Sequence, residues 1–167
     1  MSHEVRNAKL RVYLETTIFN YYFDAERDGH ADTVRMFEAI GRGEYEGYTS
    51  QYVIYELQNA PEPKRTNMLA LIDTYGISII REDDEVTRLA DTYLQEGALP
   101  AKCSLDSVHI ATATVKKLDY ILSFNFQHIN RLKTKRLTAD INTREKYKSV
   151  IITTPKEVFD DEEADPC

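Results

Sequence analysis

Polar side chains interrupt an otherwise apolar segment near the start of the sequence. Glu15, Thr16 and Thr17 directly follow residues 12–14, an apolar run that is typical of a strand buried on both faces. A buried carboxylate is costly unless it is paired or coordinates a metal ion. Glu15 therefore predicts a partner that another part of the chain must supply.

Three further polar residues lie where strands are predicted to end or helices to begin. Glu56 lies about two turns into the helix that follows residues 45–49. Asp106 lies in the first turn of the helix that precedes residues 119–123, and Asn125 follows that same strand. In a parallel sheet the carboxyl ends of the strands and the amino ends of the crossover helices share one edge, where ligands bind. We therefore expect these side chains to meet Glu15 at that edge.

The order of the predicted elements is that of an α/β protein. Strand-like runs lie at residues 10–14, 45–49, 77–80, 119–123 and 150–153. Helical patterns separate them, and several end at glycine, a common helix terminator. This alternation indicates parallel βαβ units with helices on both faces of the sheet. Residues 10–14 are predicted to be the central strand, and the helix that carries Asp106 is predicted to begin with Ser104 as its N-cap.

Length and composition indicate one soluble domain. The chain has 167 residues with 42% hydrophobic and 29% charged residues, and neither a secretory signal nor a membrane span is expected from its apolar patterning. Cys103 and Cys167 match neither a disulfide framework nor a zinc-site spacing, so a reducing cytoplasm is expected. Residues 1–159 are predicted to form one domain, and the acidic residues 160–167 a disordered tail. The net charge of −7 argues only weakly against a nucleic-acid partner.

Each polar residue also has an ordinary structural explanation. Asp106 suits the positive amino end of a helix, and Glu56 suits a solvated helix face. Asn125 suits a turn, and Thr16 and Thr17 suit a helix cap. Individually these residues are weak signals, and their combination is what favours a functional site.

Three segments show the same motifs in the same order as a known family. YLETTIFNYYF, TSQYVIYEL and LDSVHIATATVKKLDYILSFNFQHI resemble the PIN domain family (PilT N-terminus), in particular its VapC-like toxin nucleases and their solitary relatives. The resemblance spans about residues 10–158, and the third segment is the most specific. It implies a three-layer α/β/α sandwich with a central parallel sheet and an acidic site at the carboxyl edge of the strands.

The resemblance implies a metal-dependent endoribonuclease that leaves 5′-phosphate and 3′-hydroxyl ends. Clustered carboxylates repel one another, and a divalent cation removes that cost. Glu15, Asp106 and Asn125 would hold Mg²⁺ or Mn²⁺, since hard cations prefer oxygen ligands. Glu56 would bind the metal or orient the attacking water, and Thr16 would assist through its hydroxyl.

Two positions depart from the family pattern. Glu15 stands where aspartate is usual, which moves the carboxylate one methylene further out, and Asn125 stands where many members have aspartate. These departures motivate an alternative function, a catalytically weak PIN module that binds RNA or a protein partner. Phosphotransfer, ATP-binding and serine-hydrolase functions are disfavoured because their motifs are missing from the sequence.

Supporting residues and partners are less well defined by the sequence. His109 and His128 could hydrogen-bond near the metal ligands or pack in the core. The basic segment NRLKTKR could contact RNA or form a solvated helix face through Arg131, Lys133, Lys135 and Arg136. The resemblance leaves open a toxin or an RNA-processing role, a cognate antitoxin as partner, and a homo-oligomer that the 11 tyrosines could help to build.

Overall fold

The computed structural model describes residues 8–164, in which one parallel sheet forms the centre. The strands are β1 (Arg11–Leu14), β2 (Glu46–Ser50), β3 (Ser78–Ile80), β4 (Tyr120–Leu122) and β5 (Ile151–Thr153). Their order across the sheet is β3-β2-β1-β4-β5, and every pairing is parallel. The predicted central position of β1 between β2 and β4 is therefore confirmed.

Helices connect all of these strands. They are α1 (Thr16–Tyr22), α2 (His30–Gly41), α3 (Gln51–Gln58), α4 (Lys64–Tyr75), α5 (Asp84–Gln95), α6 (Ser104–Val115), α7 (Leu132–Arg144) and α8 (Pro155–Glu163). The arrangement is the predicted α/β/α sandwich. Within residues 8–164, none of these helices has the length and apolar composition of a membrane span.

The register of β1 and β4 brings Glu15 next to Ser123. Val12, Tyr13 and Leu14 are 0% exposed, as expected for a central parallel strand covered on both faces. Leu14 pairs with Leu122, so the next residue of each strand, Glu15 and Ser123, lies at the same level of the carboxyl edge. The backbone N–H of Glu15 donates to the carbonyl of Leu122 at 3.2 Å, which holds the two segments together.

Helix α6 begins differently from the sequence prediction. Its N-cap is Cys103, not Ser104, and no side chain accepts a capping hydrogen bond there. Serine is favoured at the N-cap because its side chain can accept such a bond. Since this helix begins without one, the preference of serine did not determine where α6 starts. Asp106 still lies in the first turn of α6, as predicted.

The predicted disordered tail is wrong for Asp160–Glu163, which belong to α8. Thr154 caps this helix, and Val158 and Phe159 are buried. The phenol of Tyr45 donates to Glu162 at 2.5 Å, which ties the acidic end of α8 to the fold. A helix needs only one apolar stripe, so a run of acids on the remaining surface does not prevent its formation. Residues 165–167 of the predicted tail lie outside the described residues.

Candidate active site

Glu15 lies at the carboxyl edge of the sheet, and two hydroxyl groups are its partners. It is only 3% exposed. Thr17 Oγ1 and Ser123 Oγ both donate to Glu15 Oε1, at 2.6 Å and 2.7 Å. Burial raises the pKa of the Glu15 carboxyl above its ordinary value, although the charge of His109 and the two hydroxyl hydrogen bonds oppose the shift. The partner that the sequence required is thus a pair of hydroxyls, one from α1 and one from the end of β4.

Glu56 lies in the second turn of α3 and reaches the same edge. Ser50 caps this helix by accepting a hydrogen bond from the backbone of Val53. Glu56 Oε1 accepts from Thr16 Oγ1 at 2.9 Å and contacts His109 Nε2 at 2.6 Å. The two residues predicted to support the site, Thr16 and His109, therefore both hold the same carboxyl oxygen.

His109 connects Glu56 to the interior of the sheet. Its ring is buried, and Nδ1 lies 2.7 Å from the phenol oxygen of Tyr13, which lies 2.7 Å from Ser50 Oγ. Burial alone would lower the pKa of His109, but the hydrogen bond to Glu56 and the nearby carboxylates outweigh it and raise that pKa. The contact with Glu56 therefore favours the protonated ring more than water does. Sequence reasoning missed Tyr13 and Ser50 as members of this network.

The side chains of Asp106 and Asn125 contact each other. Asn125 Nδ2 donates to Asp106 Oδ1 at 3.4 Å, a long contact, and Asn125 Oδ1 accepts from the backbone of His128 at 3.1 Å. The backbone N–H of Asn125 donates to Ser123 Oγ at 3.0 Å, so one hydroxyl links Glu15 to this loop. Burial raises the pKa of Asp106, and the charges of the two nearby histidines oppose the shift. The role of Asn125 as a metal ligand stays a prediction.

The three carboxyl groups form a set that fits a hard divalent cation. In Glu15 and Glu56 the hydrogen bonds reach one oxygen only, which fixes the orientation of the group. Within residues 8–164, no N–H or O–H group donates to the second oxygen of Glu15 or Glu56. Asp106 accepts from Asn125 at Oδ1 and also forms a hydrogen bond with the thiol of Cys103. Oriented carboxylates with a free oxygen, supplemented by water, are the ligand set that Mg²⁺ and Mn²⁺ take.

A second group of ligand atoms is more compact than the three acids. Cys103 Sγ, a carboxylate oxygen of Asp106 and a ring nitrogen of His128 all lie within 4.8 Å of one another. In the described part of the chain, Glu15 and Glu56 do not belong to such a group. This cluster could not be found from the spacing of the two cysteines. Its histidine, His128, comes from the loop after β4, whereas Cys103 and Asp106 belong to α6.

A cavity of about 590 Å³ opens beside Asn125 and is lined by aromatic and basic side chains. Phe126, which is 57% exposed, lies at its wall. Arg27 and Lys64 are its cationic lining residues, and Asp24, which accepts from Arg27 Nε at 2.9 Å, is an acidic one. None of these residues was singled out from the sequence. The predicted basic residues lie at the start of α7 instead: Arg131, Lys133, Lys135 and Arg136.

Comparison with known families identifies one matching family. The family described as PIN domain matches residues 12–134, a range that includes the four predicted catalytic residues. The chain belongs to the PIN domain family. A search among curated proteins gives no significant sequence match to this PIN domain.

Solved structures of low sequence identity share the fold of this PIN domain. The VapC20 toxin of Mycobacterium tuberculosis, described as cleaving the sarcin-ricin loop, is 14% identical with a TM-score of 0.56, over 70% of this chain and 91% of its own. VapBC2 from Rickettsia felis, bound to a DNA fragment from its promoter, is 16% identical with a TM-score of 0.56, over 86% and 97%. A toxin–antitoxin complex from Klebsiella pneumoniae is 15% identical with a TM-score of 0.54, over 72% and 92%.

The metal-free PIN domain should lose stability as the pH rises. The pKa values of Glu15, Asp106 and His109 are all raised, so each group binds its proton more tightly in the folded chain than in the unfolded chain. The folded state then carries more protons than the unfolded state, so the free energy of unfolding falls as the pH rises. The contribution of His109 to this fall begins above pH 6.5, the ordinary pKa of histidine. We expect a lower melting temperature at about pH 8 than at about pH 6, with a slope of up to about 1.4 kcal/mol per pH unit for each proton.

Thermal melts across this range in the presence of a chelator measure the effect. Mn²⁺ provides the control, because a cation that binds ionised carboxylates is held more tightly as the pH rises and should reverse the slope. A melting temperature that rises with pH in the metal-free protein would contradict the three pKa directions.

Proposed function

We propose that this PIN domain is a metal-dependent endoribonuclease that hydrolyses RNA phosphodiester bonds. The observation that carries the proposal is the electrostatic coupling of three carboxyl groups from three chain segments. The charge of Glu56 helps to raise the pKa of Glu15 and of Asp106, and Glu15 and Glu56 each keep one oxygen to which no N–H or O–H group of residues 8–164 donates. Such an arrangement retains like charges that a purely structural site would lose. Toxin and RNA-processing roles are both compatible with this chemistry.

Each residue has a proposed role in the reaction. Glu15 and Asp106 hold Mg²⁺ or Mn²⁺, and Asn125 orients Asp106 and supplies a further oxygen. Glu56, held by Thr16 and His109, orients the water that attacks the phosphorus or takes its proton. When bound, the cation polarises the phosphoryl oxygen and stabilises the charge that develops on the leaving group.

RNA reaches the site along the cavity beside Asn125. Lys64 offers a cation to the phosphates, and Arg27 does so if a phosphate takes the place of Asp24 as its partner. Phe126 offers an exposed ring on which a base can stack. The predicted contacts at the start of α7 would extend this positive surface further along the strand of RNA: Arg131, Lys133, Lys135 and Arg136. Single-stranded or looped RNA is therefore the proposed substrate class.

A protein partner is also part of the proposal. The Klebsiella pneumoniae and Rickettsia felis structures are described as toxin–antitoxin assemblies. We propose a cognate antitoxin as the partner of this chain, with self-association as the alternative. Co-purification with the product of an adjacent reading frame, followed by recovery of cleavage when that product is removed, tests it.

Cleavage of a panel of structured RNAs tests the nuclease function. We expect cleavage with Mn²⁺ or Mg²⁺, none with chelator, and products with 5′-phosphate and 3′-hydroxyl ends. Replacing Glu56 with glutamine should lower the rate by at least about 100-fold, the scale of general acid–base catalysis. Glu38→Gln is the matched control, since Glu38 is exposed on α2. Metal-independent RNA binding without cleavage would favour the catalytically weak module.

Replacing Phe126 with alanine should weaken RNA binding without changing stability. An exposed ring contributes little to the core, whereas stacking of a base on an aromatic side chain is worth about 1–3 kcal/mol. Affinity for a single-stranded RNA, measured by fluorescence anisotropy with Mg²⁺ replaced by Ca²⁺, should fall by about 5-fold to 150-fold. Ile151→Ala is the control, because Ile151 is equally exposed at 56% but lies at the amino end of β5. Equal losses in both variants would contradict the stacking role.

A further inference from the structure

We infer that Cys103, Asp106 and His128 form a second cation site, which takes a borderline or soft transition metal such as Zn²⁺. The ligand atoms of these three side chains lie within 4.8 Å of one another. Ligands of a tetrahedral Zn²⁺ ion at about 2.0–2.3 Å from the metal are separated by distances of this order. A small inward movement of the side chains is therefore enough to bring all three into coordination.

The backbone holds the three residues in place. Cys103 and Asp106 are the N-cap and a first-turn residue of α6, three positions apart and so on one face of the helix. The backbone N–H of His128 donates to Asn125 Oδ1 at 3.1 Å, and its carbonyl accepts from Thr134 Oγ1 at 2.6 Å. The site is thus built from two fixed segments. Burial and the neighbouring Asp106 raise the pKa of the Cys103 thiol, so a bound metal ion would have to displace its proton.

An unpaired ring nitrogen is the second observation that points to a ligand. Of the side-chain nitrogen and oxygen atoms buried within residues 8–164, Nδ1 of His128 is the one without a hydrogen-bond partner. Buried polar atoms in native proteins are almost always paired, so an orphan of this kind calls for an explanation. Coordination to a metal ion satisfies an imidazole nitrogen without any further protein donor.

The chemistry of the ligands selects the metal. A thiolate, an imidazole and a carboxylate suit Zn²⁺ or Co²⁺, whereas Mg²⁺ and Mn²⁺ favour oxygen ligands alone. Three protein ligands leave the fourth position of a tetrahedral site to water. Of the three ligands, His128 also lines the cavity beside Asn125. The alternative explanation is a polar cluster that only packs α6 against the loop after β4.

A Co²⁺ titration of the metal-free, reduced full-length chain separates the two explanations. Binding through Cys103 should give a thiolate-to-cobalt charge-transfer band in the near ultraviolet that saturates at one equivalent and disappears when Zn²⁺ is added. Cys103→Ser should lose the band, and Cys167→Ser, which removes the other thiol of the chain, should keep it. His128→Gln should weaken Co²⁺ binding at least about tenfold. Circular dichroism confirms that each variant is folded.

Specific results would overturn the site. A wild-type protein without the band, a band that follows Cys167 instead of Cys103, or a His128→Gln variant with unchanged affinity would each show that these residues do not bind a metal together. The charge-transfer band reports metal binding directly and does not depend on nuclease activity.

Asp106 belongs to both groups of ligands, so occupation of the second site should inhibit the proposed nuclease. Zn²⁺ bound through Asp106 withdraws that carboxylate from Glu15 and Glu56. This consequence rests on the proposed function: one equivalent of Zn²⁺ should slow Mn²⁺-dependent cleavage by the wild type more than by Cys103→Ser. If Zn²⁺ slows cleavage equally in the two proteins, the proposed inhibition is wrong. Whether the metal site exists is still decided by the absorbance band. Failure of every RNA to be cleaved would instead count against the proposed function.

Discussion

Replacing Asp106 with asparagine should stabilise the metal-free protein and at the same time abolish Mn²⁺ binding and RNA cleavage. Burial raises the pKa of Asp106, and the charge of Glu56 acts in the same direction, so the ionised carboxylate has a net cost in the folded chain. Asparagine removes the charge and keeps an oxygen that accepts from Asn125 Nδ2. A purely structural residue would not improve stability when its hydrogen-bonding charge is lost.

The expected gain is modest because Asp106 is only half-buried and water screens part of the repulsion. About 0.5–1 kcal/mol corresponds to a rise in melting temperature of roughly 1–4 °C for a chain of this length. Thermal melts with chelator and with Mn²⁺ measure both effects. Asp106→Asn should raise the melting temperature in chelator and remove the increase in melting temperature that Mn²⁺ causes in the wild type. Asp73→Asn, on the exposed face of α4, is the matched control. A less stable variant that still responds to Mn²⁺ would show that Asp106 is only a helix-end acid.

The centre of the fold could be predicted because its physical determinants are local in the sequence. Val12, Tyr13 and Leu14 form an unbroken apolar run, and the chain alternates strands with helices on both sides of it. The ends of the elements could not be predicted equally well. The start of α6 at Cys103 depends on backbone geometry without a capping side chain, and the continuation of α8 depends on contacts with α2 and Tyr45.

The location of the candidate site followed from topology alone. Glu15, Asp106 and Asn125 lie at strand ends or helix starts that must share one edge of a parallel sheet. The connections between them required the structure, because the hydrogen bonds from Ser123 to Glu15 and from His109 to Glu56 join segments far apart in the chain. One signal was available for the buried network: a tyrosine within a fully buried strand needs a partner for its hydroxyl group, and the hydroxyl of Tyr13 has two, His109 and Ser50.

Replacing His109 with leucine should produce the largest loss of stability among the residues of the site. His109 is 0% exposed and contacts Glu56 and Tyr13 through its two ring nitrogens. Leucine has about the right size and an apolar surface, but it leaves a carboxylate and a buried phenol without their common partner. Loss of one member of a buried, charged hydrogen-bonded pair costs about 3–5 kcal/mol, and the partial exposure of Glu56 places the expectation near the lower value. The melting temperature should fall by roughly 6–12 °C.

Two comparisons identify the contact with Glu56 as the source of this loss. Tyr13→Phe removes only the hydroxyl end of the network and should cost about 1 kcal/mol. In the double variant His109→Leu with Glu56→Leu, the unpaired carboxylate is gone, so the combined cost should be smaller than the sum of the single costs by about 1–3 kcal/mol. The part of the pH dependence due to His109 should also disappear between about pH 6 and pH 8. If His109→Leu costs no more than Tyr13→Phe and the two changes at His109 and Glu56 are additive, the ring only fills space, and Glu56 is oriented by Thr16 alone.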